Sequence, residues 1–166
     1  MIFVTVGTHE QQFNRLIKKI DQLKKEDIIK ERVIIQTGFS TYKPQYCESR
    51  KLFPYKDMIK FIQEADIVIT HGGPSSFVMP LQMGKIPIVV PRRKDYDEHV
   101  NDHQVNFCHE VENKQKNIIV VDDIEKLQYY IENYSKIIVD MSAGLKSNNE
   151  VFCEKFEEIV KELCKK

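Results

Sequence analysis

The sequence has no excess of charge of either sign, with 25 lysines and arginines against 25 aspartates and glutamates. A balanced chain lacks the long-range field that draws a protein to nucleic acid or to anionic lipid, so we expect no nucleic-acid partner. Hydrophobic residues at 42% and charged residues at 30% are typical of a globular protein and exclude a disordered or fibrous chain. The 166 residues fit one domain with a core of its own.

Cysteine motifs and long apolar runs are also missing. The four cysteines are scattered along the chain, at Cys47, Cys108, Cys153 and Cys164. This spacing predicts neither a disulfide framework nor a zinc ribbon and is typical of a reducing cytoplasm. The longest apolar runs, such as residues 88–90, fall far short of the roughly 20 residues of a membrane helix, and the N-terminus lacks the basic start of a signal peptide. We therefore expect a cytoplasmic protein that contacts a membrane only through a surface or a partner.

What the sequence does contain is an alternation of short β-branched runs and longer segments of helical periodicity. Strands are predicted over residues 2–6, 32–36, 52–55, 67–70, 88–90 and 118–121. Helices are predicted after residue 7, over residues 56–64, 75–83 and 98–110, and from residue 123. This βα order predicts a single Rossmann-like α/β domain, with a parallel sheet between two layers of helices. Ligands of such sheets lie beyond the carboxyl ends of the strands.

The C-terminal part of the sequence differs from this pattern. Residues 141–149 form a polar connection, and an amphipathic helix is predicted beyond it, with one apolar face formed by Phe152, Phe156, Ile159, Val160 and Leu163. We accordingly divide the chain into a domain over residues 1–140 and a C-terminal segment over residues 141–166. That helix packs either on its own domain or on a partner.

The segment with the clearest chemical character joins the fourth predicted strand to the next helix. Gly72, Gly73 and Pro74 form a tight turn, and Ser75 and Ser76 follow it. Glycines allow a ligand to approach the backbone, and the free amides and positive dipole end of a helix favour a phosphate. The pattern predicts a diphosphate cradle, although a turn of this kind with a serine cap is also a common way to start a helix.

A charged loop follows the fifth predicted strand. Arg92, Arg93 and Lys94 either pair with phosphates or form an ordinary solvated loop. Further along, Asp102 and Gln104 offer the acceptor and amide groups that suit sugar hydroxyls. His99 and His103 are four residues apart, but no third ligand has convincing spacing, so we expect no metal site and no cofactor.

Taken together, these segments resemble a known family. His71-Gly72-Gly73, residues 84–91 and Asp102-His103-Gln104 resemble the donor-binding C-terminal domain of GT-B glycosyltransferases, most closely family 28. Residues 3–8 resemble the catalytic subunit of the eukaryotic two-subunit N-acetylglucosaminyltransferase of the dolichol pathway. They are more similar still to the small catalytic subunit of bacterial capsular and exopolysaccharide β-1,4-galactosyltransferases. The resemblance spans residues 1–134 and implies the fold of the C-terminal half of a GT-B enzyme.

The resemblance implies a UDP-sugar donor, with galactose expected first and N-acetylglucosamine next. The donor diphosphate would lie among Gly7, Thr8, His71, Gly72, Gly73, Pro74, Ser75 and Ser76. The transferred sugar would face Asp102, His103 and Gln104. Many family members carry a glutamate that binds the ribose hydroxyls at the position of Met79, so ribose recognition is expected to differ here. The catalytic residue is not identified by the sequence, and the candidates are His9, Glu10 and His71.

The resemblance also implies a partner. A GT-B active site lies between two Rossmann-like domains, and this chain has room for one, so we expect a membrane-anchored subunit to supply the site for a lipid-linked saccharide acceptor. Peripheral association with the inner face of the membrane would follow from that partner, and homo-oligomerisation stays open. The alternatives are a non-catalytic nucleotide-sugar-binding subunit, which Met79 favours, and a purely structural interaction module.

Overall fold

The computed structural model describes residues 1–141 together with residues 153, 155–157 and 159–161. One sheet has the strand order β3-β2-β1-β4-β5-β6, and each neighbouring pair of strands is parallel. The strands are β1 (Ile2–Thr5), β2 (Val33–Gln36), β3 (Glu48–Arg50), β4 (Ile67–His71), β5 (Ile88–Val90) and β6 (Ile119–Val120). This is the order of doubly wound nucleotide-binding sheets, in which the direction of winding reverses between β1 and β4.

Helices connect the strands and cover both faces of the sheet. They are α1 (Asn14–Lys25), α2 (Tyr55–Glu64), α3 (Pro74–Gln82), α4 (His103–Gln115), α5 (Leu127–Glu132) and α6 (Tyr134–Ile137), with short 3-10 turns over Lys94–Tyr96, Ile124–Lys126 and Ile138–Asp140. The predicted apolar stripe of α1, including Leu16, Ile17 and Ile20, is buried in the largest core cluster. The prediction of a single Rossmann-like α/β domain is therefore confirmed.

The central strands are apolar on both faces because both faces are covered. In β1, Ile2 and Val4 pack into the core on the α1 side, whereas Phe3 packs on the α2 side. Residues of β1 pair in register with β2 on one side and β4 on the other, with Ile2 opposite both Val33 and Ile67. This arrangement brings the ends of β1 and β4 side by side, which fixes the loops that follow them at one edge of the sheet.

The third predicted strand was misplaced. The edge strand is Glu48–Arg50, whose three residues are exposed, whereas the predicted run 52–55 forms a connection that ends at the start of α2. Phe53 turns into the domain and packs edge-on against Phe61, with ring centroids 5.0 Å apart. The apolar character of this run therefore reflects packing under α2 rather than a strand.

The helix predicted over residues 98–110 begins later, at His103. Asp97 adopts a left-handed backbone with φ of 53°, which ends the preceding turn, and Glu98 is buried in an ion pair. The residues at 153, 155–157 and 159–161 are helical, and Phe156, Ile159 and Val160 are exposed. Phe152 and Leu163, the other members of the predicted apolar face, lie outside the described residues. In the described part of the chain, no helix has the length and apolar character needed to cross a membrane.

Candidate functional site

A cleft of about 510 Å³ opens at the carboxyl ends of β1 and β4, where the winding of the sheet reverses. Doubly wound proteins bind their ligands at this point. Gly7, Thr8 and His9 line the cleft from the loop after β1, and His71, Ser75 and Ser76 line it from the turn after β4. The structure therefore brings together the two segments that the sequence assigned to one diphosphate site.

The two loops meet around the imidazole of His71. A Cβ atom on Gly7 would lie 2.3 Å from His71 Nε2, and one on Gly73 would lie 2.2 Å from His71 Cε1. Gly7 also has a φ of +75°, a conformation that other residues adopt only with strain. These two glycines leave the space that the ring occupies, and the ring in turn fixes the spacing of the loops.

Both ring nitrogens of His71 have hydrogen-bond partners. The Gly73 N–H donates to Nδ1 at 3.0 Å, and Nε2 lies 2.9 Å from Ser76 Oγ. Burial lowers the pKa of His71 to about 4, and the nearby Arg92 guanidinium acts in the same direction. His71 is therefore neutral at physiological pH, and neither of its nitrogens is free to accept a proton from an acceptor substrate.

The first turn of α3 carries the hydroxyls predicted for the cradle. The residue preceding the helix is Gly73, and no side chain caps the helix. Pro74 occupies the first helical position, so Ser75 and Ser76 lie in the first turn rather than at the cap. Ser75 is exposed and Ser76 is half-buried. The serine-cap interpretation is thus wrong, and the serine hydroxyls stay beside the positive end of the helix dipole.

Arg92 does not lie where the sequence placed it. Its side chain is fully buried beneath the cleft, and the guanidinium donates to the carbonyl of Val6 at 2.8 Å. It also donates to the carbonyls of Gln11, Gln12 and Glu98 at 2.9, 3.0 and 3.1 Å. The guanidinium is therefore neither part of a solvated loop nor open to direct contact with a phosphate, because main-chain carbonyls of the β1–α1 segment and of Glu98 surround it. Arg92 instead contributes positive potential from below.

A buried ion pair, which the sequence did not indicate, ties the β5–α4 loop to α1. Arg15 Nε lies 3.0 Å from Glu98 Oε1, and Arg15 Nη2 lies 2.9 Å from Glu98 Oε2. Glu98 Oε2 also accepts the Arg93 N–H at 3.1 Å. Burial lowers the pKa of Arg92 to about 10, although the charge of Glu98 acts in the opposite direction. Arg92 accordingly remains charged near pH 7.

The residues expected around the transferred sugar are divided. Gln104 is buried, and its Oε1 accepts the Arg92 N–H at 3.2 Å, so it supports the loop. Asp102 and His103 are exposed outside the cleft lining; Asp102 Oδ1 accepts the Lys94 N–H at 2.9 Å, and the His103 ring stacks on Phe107. Within this single domain, none of the three contacts the cleft directly.

Two histidines from different loops, His9 after β1 and His99 after β5, lie close together beside the site. The rings of His9 and His99 lie 5.2 Å apart, and the His9 Nδ1 accepts the Gln11 N–H at 3.2 Å. Burial lowers the pKa of His9, and the charges of Arg92 and His99 act in the same direction. Glu10, the other candidate on this loop, is exposed. Across the described ranges, no cluster of three or more His, Cys, Asp or Glu side chains is arranged to hold a metal ion.

One wall of the cleft is apolar, and the sequence reasoning missed it. Its members come from the connection before α2, from α2 itself and from α3, and they are Leu52, Phe53, Tyr55, Met58, Ile62 and Met79. The floor is polar: the Gln36 amide donates to Thr5 Oγ1 at 3.1 Å, and its oxygen accepts the Phe53 N–H at 2.9 Å. The apolar run at residues 52–55 was the available signal, but it was interpreted as a strand.

The domain is a doubly wound α/β protein with an uncapped helix start, serine hydroxyls in the first turn of that helix and a buried cation near its switch point. Comparison with known families makes this specific. The model of the glycosyltransferase family 28 C-terminal domain matches residues 1–163. The chain therefore belongs to the glycosyltransferase family 28 C-terminal domain family, and the family predicted from the motifs is confirmed.

Similar proteins extend this result. The UDP-N-acetylglucosamine transferase subunit ALG13 of Homo sapiens is 35% identical over 116 residues, which cover 64% of this chain and 10% of that protein. Its counterpart from Mus musculus is 34% identical over 106 residues, or 58% of this chain and 9% of that protein. The chain thus spans about one tenth of the length of these curated relatives. The crystal structure of the glycosyltransferase SnogD from Streptomyces nogalater aligns with a TM-score of 0.49 and 16% identity, over 85% of this chain and 39% of that one.

Proposed function

We propose that this chain is the donor-binding subunit of a two-subunit glycosyltransferase and that it binds a UDP-sugar in the cleft between β1 and β4. The observation that carries the proposal is the pairing of the Gly7–Thr8 loop with the α3 start across one cleft. The hydroxyls of Ser75 and Ser76 and the Ser75 main-chain N–H would bind the diphosphate, and the buried Arg92 would add attraction without contact.

The reaction proposed is an inverting transfer. The acceptor hydroxyl oxygen attacks the anomeric carbon, the bond from that carbon to the UDP oxygen breaks, and a general base takes the hydroxyl proton. Charge develops on the leaving diphosphate, where the helix dipole and the serine hydroxyls would stabilise it. Of the three candidate catalytic residues, His9 lines the cleft and His71 is fully hydrogen-bonded, so His9 is the better candidate within this chain. Neither a metal nor a cofactor enters this scheme.

We propose further that a membrane-anchored subunit supplies the acceptor site and carries a lipid-linked saccharide to the cleft. Large exposed apolar residues lie beside the carboxyl ends of the strands, where a second domain would face the donor; they are Phe39, Leu52, Tyr55, Tyr96 and Val100. The name of the ALG13 relatives contains the word subunit and specifies N-acetylglucosamine, whereas the resemblance of residues 3–8 favours galactose and polysaccharide synthesis. Both donors therefore belong in the assay.

A second candidate function is nucleotide-sugar binding without transfer. Met79 favours it, because a methionine lines the cleft where family members carry a ribose-binding glutamate. The two functions differ in turnover. The chain is incubated with membranes that contain its partner and with UDP-galactose or UDP-N-acetylglucosamine that carries a label in the sugar. A labelled lipid product forms if the subunit is catalytic. Binding of UDP without transfer to lipid or to water identifies the non-catalytic subunit.

A single negative charge added at the start of α3 tests the position of the binding site. Ser75 is exposed and is the second residue of α3, so Ser75→Asp leaves the fold intact and complements the helix dipole. The added carboxylate repels the diphosphate, and we expect UDP affinity measured by calorimetry to fall at least about tenfold. Ser135→Asp is the matched control, because Ser135 is exposed and is the second residue of α6. Equal UDP affinities for the two variants would place the diphosphate elsewhere.

A further inference from the structure

The hydrogen bonds of His71 determine which of its nitrogens carries the proton. A main-chain N–H can only donate, so Nδ1, which lies 3.0 Å from the Gly73 nitrogen, must be an acceptor. A neutral imidazole has one proton, and it must then reside on Nε2. Nε2 lies 2.9 Å from Ser76 Oγ, so the ring donates to the serine oxygen. The local geometry thus gives a direction to the hydrogen bond between the two side chains.

We propose that His71 is a positioning residue that orients the Ser76 hydroxyl toward the donor diphosphate. His71 occupies a lone pair of Ser76 Oγ, and among residues 1–141 the serine oxygen has no second side-chain partner. Its own proton is therefore available to an anion in the cleft that both residues line. This inference rests on the proposed function, because it assigns the ligand of Ser76 as a phosphate oxygen.

The surroundings of the ring keep it fixed and neutral. The ring fills the gap between Gly7 and Gly73, where an added Cβ would approach it to 2.3 and 2.2 Å. Burial and the nearby Arg92, His9 and His99 lower the pKa of the ring and disfavour a second proton, and together they outweigh a hydrogen bond with Gln104 that raises it. A protonated Nδ1 would also lose the Gly73 N–H as a donor. The Nε2–H therefore points at Ser76 throughout the physiological pH range.

The same geometry excludes a nucleophilic serine. In a catalytic Ser–His pair, an unprotonated Nε2 accepts the hydroxyl proton and releases an activated oxygen. Here Nε2 already carries the proton, because Nδ1 is committed to Gly73. Ser76 is accordingly a hydrogen-bond donor to a ligand, and His71 acts through it without touching the ligand.

Two substitutions that introduce a side-chain amide, asparagine or glutamine, separate the functions of the two ring nitrogens. The amide oxygen of His71→Asn can replace Nδ1 as the acceptor for Gly73, but this side chain is too short to reach Ser76. The longer His71→Gln side chain can place an amide N–H near the Nε2 position and donate to Ser76 Oγ. A purely structural role would make the two variants similar in UDP binding, whereas the positioning role makes them differ.

The experiment measures UDP binding by calorimetry for the wild type, Ser76→Ala, His71→Asn, His71→Gln and the His71→Asn/Ser76→Ala double variant. We expect Ser76→Ala to weaken binding about tenfold, the loss of one hydrogen bond to a charged group. His71→Asn should weaken it by a similar factor, and the double variant by no more than about twofold beyond either single one. His71→Gln should retain affinity within about threefold of the wild type. The inference would be overturned if the affinity losses of the two single variants multiplied in the double variant. Equal losses of affinity for His71→Asn and His71→Gln would overturn it too.

A second measurement is independent of ligand and of variant folding. Long-range proton–nitrogen NMR of the wild-type chain at pH 7 should show an unprotonated Nδ1 and a protonated Nε2 for His71. A proton on Nδ1 overturns the inference, whatever the calorimetry shows. If the wild type binds no UDP, alone or with its partner, the proposed function fails, and the tautomer still tests the orientation of Ser76 on its own.

Discussion

The buried histidine makes the stability of this domain depend on pH. The pKa of His71 is lowered from 6.5 to about 4 because burial and the Arg92 charge disfavour the imidazolium. The unfolded chain therefore binds a proton that the folded domain rejects, so the free energy of unfolding falls as the pH falls from above 6.5 toward 4. The pKa of His71 differs by about 2.5 between the folded and unfolded states, and each pKa unit corresponds to about 1.4 kcal/mol. The free energy of unfolding is therefore about 3 kcal/mol lower once the imidazole is protonated in both states. Of this, about 2 kcal/mol is lost between pH 7 and pH 5.

The assay is urea unfolding of the wild type and of His71→Gln at pH 7 and pH 5, analysed by linear extrapolation. The variant cannot titrate at this position, whereas every other carboxylate and histidine is common to both proteins. The wild type should be the more stable protein at pH 7, and we expect the difference to narrow by about 2 kcal/mol at pH 5. A difference that stays constant or widens on acidification would show that His71 is neither neutral nor buried as described.

Two further substitutions test the packing and the ligand wall of the site. Gly7→Ala combines a φ of +75° with a clash of 2.3 Å against His71, whereas Gly84→Ala meets only the strain of a φ of +73° with no atom within 4 Å. We expect urea unfolding to show a loss of about 1 kcal/mol for Gly84→Ala and at least about twice that for Gly7→Ala, and equal losses would contradict the packing of the ring. Met79→Glu restores the glutamate of other family members in the cleft wall, so the UDP affinity measured by calorimetry should rise about fivefold. Met83→Glu, just past the end of α3, serves as the control. An unchanged UDP affinity for Met79→Glu would show that the ribose does not contact this wall.

The sequence predicted the central strands well because their signal is strong. β1, β2, β4 and β5 are runs of β-branched residues that are buried on both faces. The edge strand Glu48–Arg50 has no such signal, because its three residues are exposed and polar and only pairing with β2 defines it as a strand. The start of α4 was missed for a related reason: the left-handed Asp97 and the ion pair of Glu98 are tertiary features, and neither has a local pattern.

The site was predictable to the extent that strand ends determine it. Gly7 and His71 were expected beyond the carboxyl ends of their strands, and the family resemblance implied one site for both. They lie in one cleft because β1 and β4 are neighbours, which the sequence analysis did not predict. The role of the glycines was predicted only in part, since the space beside Gly7 and Gly73 is occupied by an imidazole of the protein itself. Whether a glycine makes room for a ligand or for a side chain depends on tertiary packing, which no local pattern records.

Arg92 shows how a chain without net charge can still place a cation beside the proposed diphosphate site. A guanidinium next to Arg93 and Lys94 looks like part of a solvated loop, but the carbonyls of the β1–α1 segment hold it under the site. Glu98 offsets part of the charge of Arg92, but Glu98 is also paired with Arg15, so the three side chains together keep one net positive charge. This buried cation and the α3 dipole act in a medium of lower dielectric than water, where a unit charge has a longer reach. The position of this cation therefore arises from the fold, and the overall composition of the chain gives no indication of it.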